Sequence, residues 1–195
     1  MTIHVTNTSA CDDALMGRDG FKPTLTIVSG RPGSGKTTLA RALAYALSCP
    51  LISRDEINEG INSTFDHDPE LASKDKVATL AFDAFFGTIE SLLRHNVSFV
   101  AEAAFQDFRW RAGLSSCGSL TELKIVYCVV DARLAQQRVA HRGPEQQRLA
   151  AQPPIRPFEP LSLPVPTVRV DTTDGYLPGL HEILAFVENH DRSHG

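Results

Sequence analysis

Several features are scarce in this chain of 195 residues, and each scarcity excludes a class of protein. Cysteine occurs only at Cys11, Cys49, Cys117 and Cys128, without C-x-x-C spacing and without the density of a secreted disulfide scaffold. The thiols therefore read as reduced and structural. The histidines are scattered, and Asp66-His67-Asp68 lacks a third matched ligand, so no zinc site is spelled out. A basic excess is also missing: the net charge of -4 and pI near 6.0 argue against wrapping a nucleic-acid duplex, and leave nucleic acid only as a strand-end substrate. No apolar run approaches the length of a membrane span, and residues 1–20 lack the basic start and apolar centre of a secretory signal. The expectation is a cytoplasmic protein with no membrane partner, acting on small molecules as a monomer or homodimer.

What the chain does contain is Gly30-Arg31-Pro32-Gly33-Ser34-Gly35-Lys36-Thr37-Thr38, a full match to the Walker A phosphate-binding pattern G-x-x-x-x-G-K-[ST]. The context agrees with the motif. Thr24 to Gly30 is β-branched and reads as a buried strand, whereas Thr37 to Leu47 places Leu39, Ala40, Leu43, Ala44 and Leu47 at helical spacing. Glycines at 33 and 35 permit backbone conformations closed to bulkier residues, so successive amides can turn toward phosphate oxygens at the positive end of the following helix. Lys36 then reaches the β and γ phosphates, and the Thr37 hydroxyl is placed to ligate Mg²⁺. The dinucleotide fingerprint G-x-G-x-x-G is not met, because these glycines run G-x-x-G-x-G.

Outward from the loop the chain alternates strand and helix. Residues 1–20 are polar and read as a flexible N-terminal extension, followed by a single domain over residues 21–190 and a frayed tail at 191–195. A short strand over Cys49 to Asp55 ends in the polar triplet Ser53-Arg54-Asp55, at the strand end where open parallel sheets hold ligands. A short helix and loop follow from Glu56, with a helix start at Asp68-Pro69-Glu70. Lys76 to Arg94 is a long amphipathic helix whose Phe82, Phe85 and Phe86 read as core. Ser98 to Phe105 is a strand with a single acid, Glu102, and Gln106 to Leu114 a polar, partly helical connection. Leu123 to Val130 is a buried strand, Ala132 to Arg142 a helix, and Thr167 to Thr173 a fifth strand before a closing helix from Leu177 to Asn189. The proline-rich stretch between, with Arg138 and the residues up to Pro166, reads as a lid of about residues 138–166. This alternation predicts a doubly wound α/β fold with a parallel sheet.

Together Ile27 to Arg41, Ile52-Ser53-Arg54-Asp55, Val100 to Gln106 and Val170 to Tyr176 resemble the P-loop ATP-dependent kinases labelled "AAA domain", relatives of zeta toxin, chloramphenicol phosphotransferase, gluconate kinase and polynucleotide kinase. The resemblance implies the P-loop NTPase fold, a five-stranded parallel sheet of order 2-3-1-4-5 with helices on both faces and a small lid. It also implies ATP and Mg²⁺ as cofactors and phosphoryl transfer to an acceptor hydroxyl. Such transfer rests on charge neutralisation and in-line placement. Asp55 is the expected catalytic base, accepting or orienting the acceptor's hydroxyl proton, although Asp is also a favoured helix cap. Glu102 stands where a Walker B acid ends its strand and would touch Mg²⁺ indirectly, through water, or position substrate; a contact to Arg109 or Arg111 is a further reading. Those two arginines read equally as an anion grip or a solvated helix face. Arg138 and Arg142 resemble the lid arginines that close over the β and γ phosphates, with Arg138 favoured as catalytic, and basic residues near a helix C-terminus also suit its dipole. Arg148 and Arg156 are weaker candidates. Thr172 begins the Thr172-Thr173-Asp174-Gly175 turn, where relatives pack the adenine. The leading expectation is a kinase acting on a small-molecule hydroxyl, with a polynucleotide 5′-hydroxyl kinase and an ATP-hydrolysing switch as alternatives.

Overall fold

The computed structural model describes residues 22–65, 74–141 and 158–189. The expected N-terminal extension, the Asp68-Pro69-Glu70 helix start, Arg142, Arg148, Arg156 and the tail from 191 lie outside these residues. Five strands, β1 (Thr24–Gly30), β2 (Leu51–Ser53), β3 (Phe99–Glu102), β4 (Glu122–Val129) and β5 (Thr167–Asp171), form one sheet in the order β2-β3-β1-β4-β5. Every pairing is parallel. The helices are α1 (Lys36–Ala46), α2 (Arg54–Phe65), α3 (Lys74–Arg94), α4 (Asp107–Cys117), α5 (Ala132–Ala140) and α6 (Leu180–Glu188). This is the P-loop NTPase fold with the expected strand order.

β1 takes the centre because it is buried along its whole length and can be covered on both faces. Successive side chains alternate sides, so Leu25 and Ile27 join Phe99, Leu123 and Ile125 in a core with Phe85 and Ile89 of α3 and Leu114 of α4. On the opposite face Val28, Val100, Val126 and Val170 meet Leu39 and Leu43 of α1 and Ile183 and Val187 of α6. Each such fully buried aliphatic side chain contributes roughly 1.5–3 kcal/mol. Among the described residues no helix is long and apolar enough to cross a membrane.

Two stretches differ from the sequence expectation. The polar connection after β3 is a full helix, and its Trp110 is a core residue whose ring centroid lies 4.9 Å from Phe82, 5.5 Å from Phe85 and 4.7 Å from Phe105. The charged neighbours Arg109 and Arg111 hide Trp110 from a periodicity reading. The second difference lies at the end of the expected lid, where the chain from Phe158 returns along α4: Leu161 is buried in the first core, Gln106 and Pro160 form an antiparallel bridge, and the Ser162 amide donates to Asp107 Oδ1 at 2.9 Å. Asp107 Oδ2 accepts from Arg111 Nε at 2.9 Å. At the other end of the sheet, buried Lys124 donates to the carbonyls of Phe186, Val187 and Asn189, capping the C-terminus of α6.

Candidate active site

The site grows from the turn between β1 and α1. The Ser34 amide donates to the Arg31 carbonyl at 3.1 Å, tightening the loop, and α1 begins directly at Lys36. Gly33 and Gly35 adopt φ of 80° and 73°, the left-handed region that glycine occupies without strain. Gly33 is also required by space, since a Cβ built there would lie 2.3 Å from the Ala135 carbonyl oxygen of α5. The loop is thus pressed against the helix that follows β4.

Lys36 is buried, with Nζ 3.7 Å from Glu102 Oε1 at the end of β3. β3 hydrogen-bonds β1 with Val28 beside Glu102, and β2 with Ser53 beside it, so sheet register alone brings these groups together. Ser53 Oγ donates to Glu102 Oε2 at 3.0 Å. Burial pushes the Glu102 carboxyl above its ordinary range; Lys36 pulls it back, the Asp55 charge pushes it up again, and the Ser53 and Thr37 hydroxyls lower it. Two buried polar atoms here, Ser34 Oγ and Glu102 Oε1, have no hydrogen-bond partner. An unsatisfied buried group costs about 1–3 kcal/mol. A buried ammonium, left-handed glycines and unpaired oxygens fit a phosphate and its hydrated cation, with Thr37 and Glu102 as the residues that would hold Mg²⁺.

The other predicted positions fall around this centre. Asp55 lies in the first turn of α2, with its side chain 63% exposed and 3.6 Å from Arg54 Nη1. The helix starts sooner than the sequence suggests, because Ser53 Oγ takes the cap position and accepts the Glu56 amide at 3.5 Å. Asp55 is therefore not the cap, and its carboxylate is left facing solvent near enough for its charge to act on Glu102. Arg111 pairs with Asp107 rather than with Glu102. Pro32 and Thr38 are exposed on the loop and the first turn of α1, as is Arg31.

Arg138 is held on the other flank. Its Nη2 donates to the Thr172 carbonyl at 2.8 Å and to the Thr173 carbonyl at 3.3 Å, and its Nη1 lies 3.4 Å from Thr172 Oγ1. The guanidinium, expected to close over phosphates, is here a wall on the β5 side beside Gly35. Thr172 itself is buried and its hydroxyl donates to the Ser34 carbonyl at 2.8 Å, tying the fifth strand's turn to the phosphate loop. The sequence placed Thr172 at this edge of the sheet, but not as a clasp on the loop. Ser53 went unmarked as a partner of Glu102, although its place in the polar triplet after β2 was the available signal.

A parallel sheet of this order, with a Walker A loop after β1 and a buried acid ending β3, defines a P-loop NTPase of the architecture that kinases share. The "AAA domain" family matches residues 25–153, and the chain belongs to that family. Among solved structures it is similar to a provisionally assigned kinase from Chloroflexus aurantiacus j-10-fl, at 26% identity and a TM-score of 0.68, covering 86% of this chain and 96% of that one. It also shares its fold with the Mycobacterium tuberculosis APS kinase solved with AMPPNP and APS, at 15% identity, a TM-score of 0.60, and coverage of 86% and 99%. A sugar kinase from Janibacter sp. HTCC2649 is similar at 16% identity and a TM-score of 0.53, with coverage of 84% and 91%. No curated protein matches the chain.

Proposed function

We propose that this protein is an ATP-dependent kinase that transfers the γ-phosphate of Mg·ATP to a hydroxyl of a small-molecule acceptor. The observation that supports this reading most directly is the arrangement at the carboxyl ends of β1, β2 and β3, where buried Lys36 and Glu102 stand beside the solvent-facing carboxylate of Asp55. Lys36 and the loop amides bind the β and γ phosphates and neutralise charge as the bond to the leaving group lengthens. Asp55 accepts or orients the proton of the acceptor hydroxyl, and its exposed position leaves room for a substrate to approach. Thr37 and Glu102 would hold Mg²⁺, which when bound would supply positive charge to offset that of the phosphates. On the opposite flank Arg138 and Thr172 bound the place for the nucleotide's base.

ATP consumption measured against a panel of sugars, nucleosides, antibiotics and 5′-hydroxyl oligonucleotides, with product masses determined, tests the proposal. A kinase gives slow hydrolysis alone, a large response to one acceptor and a product heavier by one phosphoryl group. Strong hydrolysis with no acceptor, raised by a protein partner, would establish an ATP-driven switch instead. Asp55→Asn should leave AMPPNP affinity within about twofold while lowering transfer by roughly 10²–10⁴-fold, the range for losing a positioned acid–base group. Equal loss of binding and transfer would make Asp55 structural.

A further inference from the structure

A second cluster of chemistry lies beside the phosphate loop on the β4–β5 side of β1, away from Glu102 and Asp55, which belong to the β3–β2 side. There a cavity of about 210 Å³ is lined by Arg31, Tyr127, Phe158 and Arg169, together with residues 128–130 of the β4 end. The register of the sheet assembles it. Tyr127 pairs with Arg169 across β4 and β5 and with Ser29 across β4 and β1, so these side chains rise from one face of the sheet next to the loop that carries Arg31. Phe158 stacks on Tyr127 with centroids 6.5 Å apart and planes 17° from parallel, and lines the cavity with it.

The charge in this cavity is unbalanced. Neither Arg31 nor Arg169 forms a salt bridge among the described residues, yet the charges of both act on the Tyr127 hydroxyl, pulling down a pKa that burial raises. Asp171, two residues beyond Arg169, feels that arginine, but its carboxylate already accepts the Thr173 amide at 2.8 Å. Two guanidinium groups from separate elements thus line one cavity with this phenol, and among the described residues neither is in a salt bridge. Guanidinium forks match the paired oxygens of a phosphoryl or sulfuryl group, and a hydroxyl at the cavity wall adds a further donor. The volume exceeds by several-fold the roughly 30 Å³ that a water molecule occupies in the liquid, leaving space for such a group.

We infer that the Arg31–Tyr127–Arg169 cavity is a binding site for a small phosphate-class dianion, distinct from the site of the nucleotide's own phosphates. Because Arg31 is part of the Walker loop, an anion held there bears directly on the loop that holds the nucleotide. The cavity lies on the β4–β5 side of β1, whereas Asp55, at which the proposed function puts the hydroxyl acceptor, follows β2 on the other side, so the ligand is a second small molecule carrying a phosphoryl group, or phosphate itself.

The experiment is a calorimetric titration of inorganic phosphate into protein already saturated with Mg·AMPPNP, which fills the Walker loop, with chloride at matched ionic strength as the control. The expected result is one saturable phosphate site, weakened at least about tenfold by Arg169→Gln, as loss of one charge-assisted contact implies. Arg169 is exposed on the edge strand, so the variant should fold, and its AMPPNP affinity should stay within about twofold of the parent. Absence of saturable phosphate binding to the loaded protein, or equal binding by Arg169→Gln, would overturn the site and leave both arginines as solvated surface cations. The readout is binding alone, so its result stands apart from whether the protein proves to be a kinase.

Discussion

Lys36 Nζ lies 3.7 Å from Glu102 Oε1 with both side chains nearly shut off from water, at 5% and 1% exposure. Such a pair is held together less by net attraction than by the cost of separating it, since either charge alone in that place is unpaired and desolvated. Lys36→Ala should abolish ATP turnover and also destabilise the protein by about 3–5 kcal/mol near neutral pH. Adding Glu102→Gln removes the stranded carboxylate, so the double variant should unfold at higher urea than Lys36→Ala while remaining inactive. Urea midpoints of the four proteins in the cycle check this. Additive losses would mean that the two groups do not interact, and full activity in Lys36→Ala would remove the phosphate-binding role.

The hydroxyl of Thr172 joins two parts of the chain that the sequence separates widely, donating to the Ser34 carbonyl of the phosphate loop. Thr172→Val keeps the shape and deletes that bond together with the hydroxyl's contact to Arg138 Nη1, while the Thr172 carbonyl keeps its bond from Nη2. Removing a buried hydrogen bond costs about 1 kcal/mol, which corresponds to a rise in KM for ATP of roughly fivefold. kcat should change little, because the clasp shapes the loop rather than touching the transferred group, and Thr172→Ser should restore the parent KM. A collapse of kcat at unchanged KM would show that the hydroxyl acts in the chemical step.

The division between what was legible in the sequence and what was not follows the range of the interactions. The Walker loop was readable because its requirement is local: two left-handed residues and a lysine at fixed spacing. Glu102 stood out as the one acid in an apolar strand, and the order of the strands followed from a resemblance spread over much of the chain. Trp110 was missed because its helix alternates charged and apolar positions with a weak period. The pairing of Asp107 with Ser162, and the lining of one cavity by both Arg31 and Arg169, depend on where the chain returns after a long excursion, and no local pattern encodes either. Asp55 is singled out in the sequence by its place after β2, but the cap belongs to Ser53 because a helix follows that strand without a loop.

Glycine spacing makes a sharper prediction when two glycines are compared. Gly33 has φ of 80° and would place a Cβ 2.3 Å from the Ala135 carbonyl oxygen, whereas Gly60 lies in α2 with nothing within 4 Å of such an atom. Gly33→Ala should therefore cost more than about 2 kcal/mol, from the left-handed backbone and the displaced helix together, and should weaken nucleotide binding. Gly60→Ala should instead stabilise by up to about 1 kcal/mol, since alanine loses less backbone freedom in a helix. Thermal denaturation with and without AMPPNP separates the two cases. Equal effects would show that the loop does not press on α5.

The contact between Asp107 and the returning chain should also be visible as a pH dependence. The Arg111 side chain and the Ser162 amide hold the Asp107 carboxyl below its ordinary range. The folded state therefore binds this proton less readily than the unfolded chain, whose Asp pKa is about 3.9. Stability from this group is fully present above that value and is lost as pH falls through the lower folded-state pKa. Asp107→Asn removes the charge at every pH while keeping an oxygen for the Ser162 amide. The Tm difference between parent and variant should thus be constant from about pH 8 to pH 5 and shrink below about pH 4. A difference that persists undiminished into strong acid would mean that Asp107 acts through packing, and that its ion pair with Arg111 contributes nothing to holding the return segment on α4.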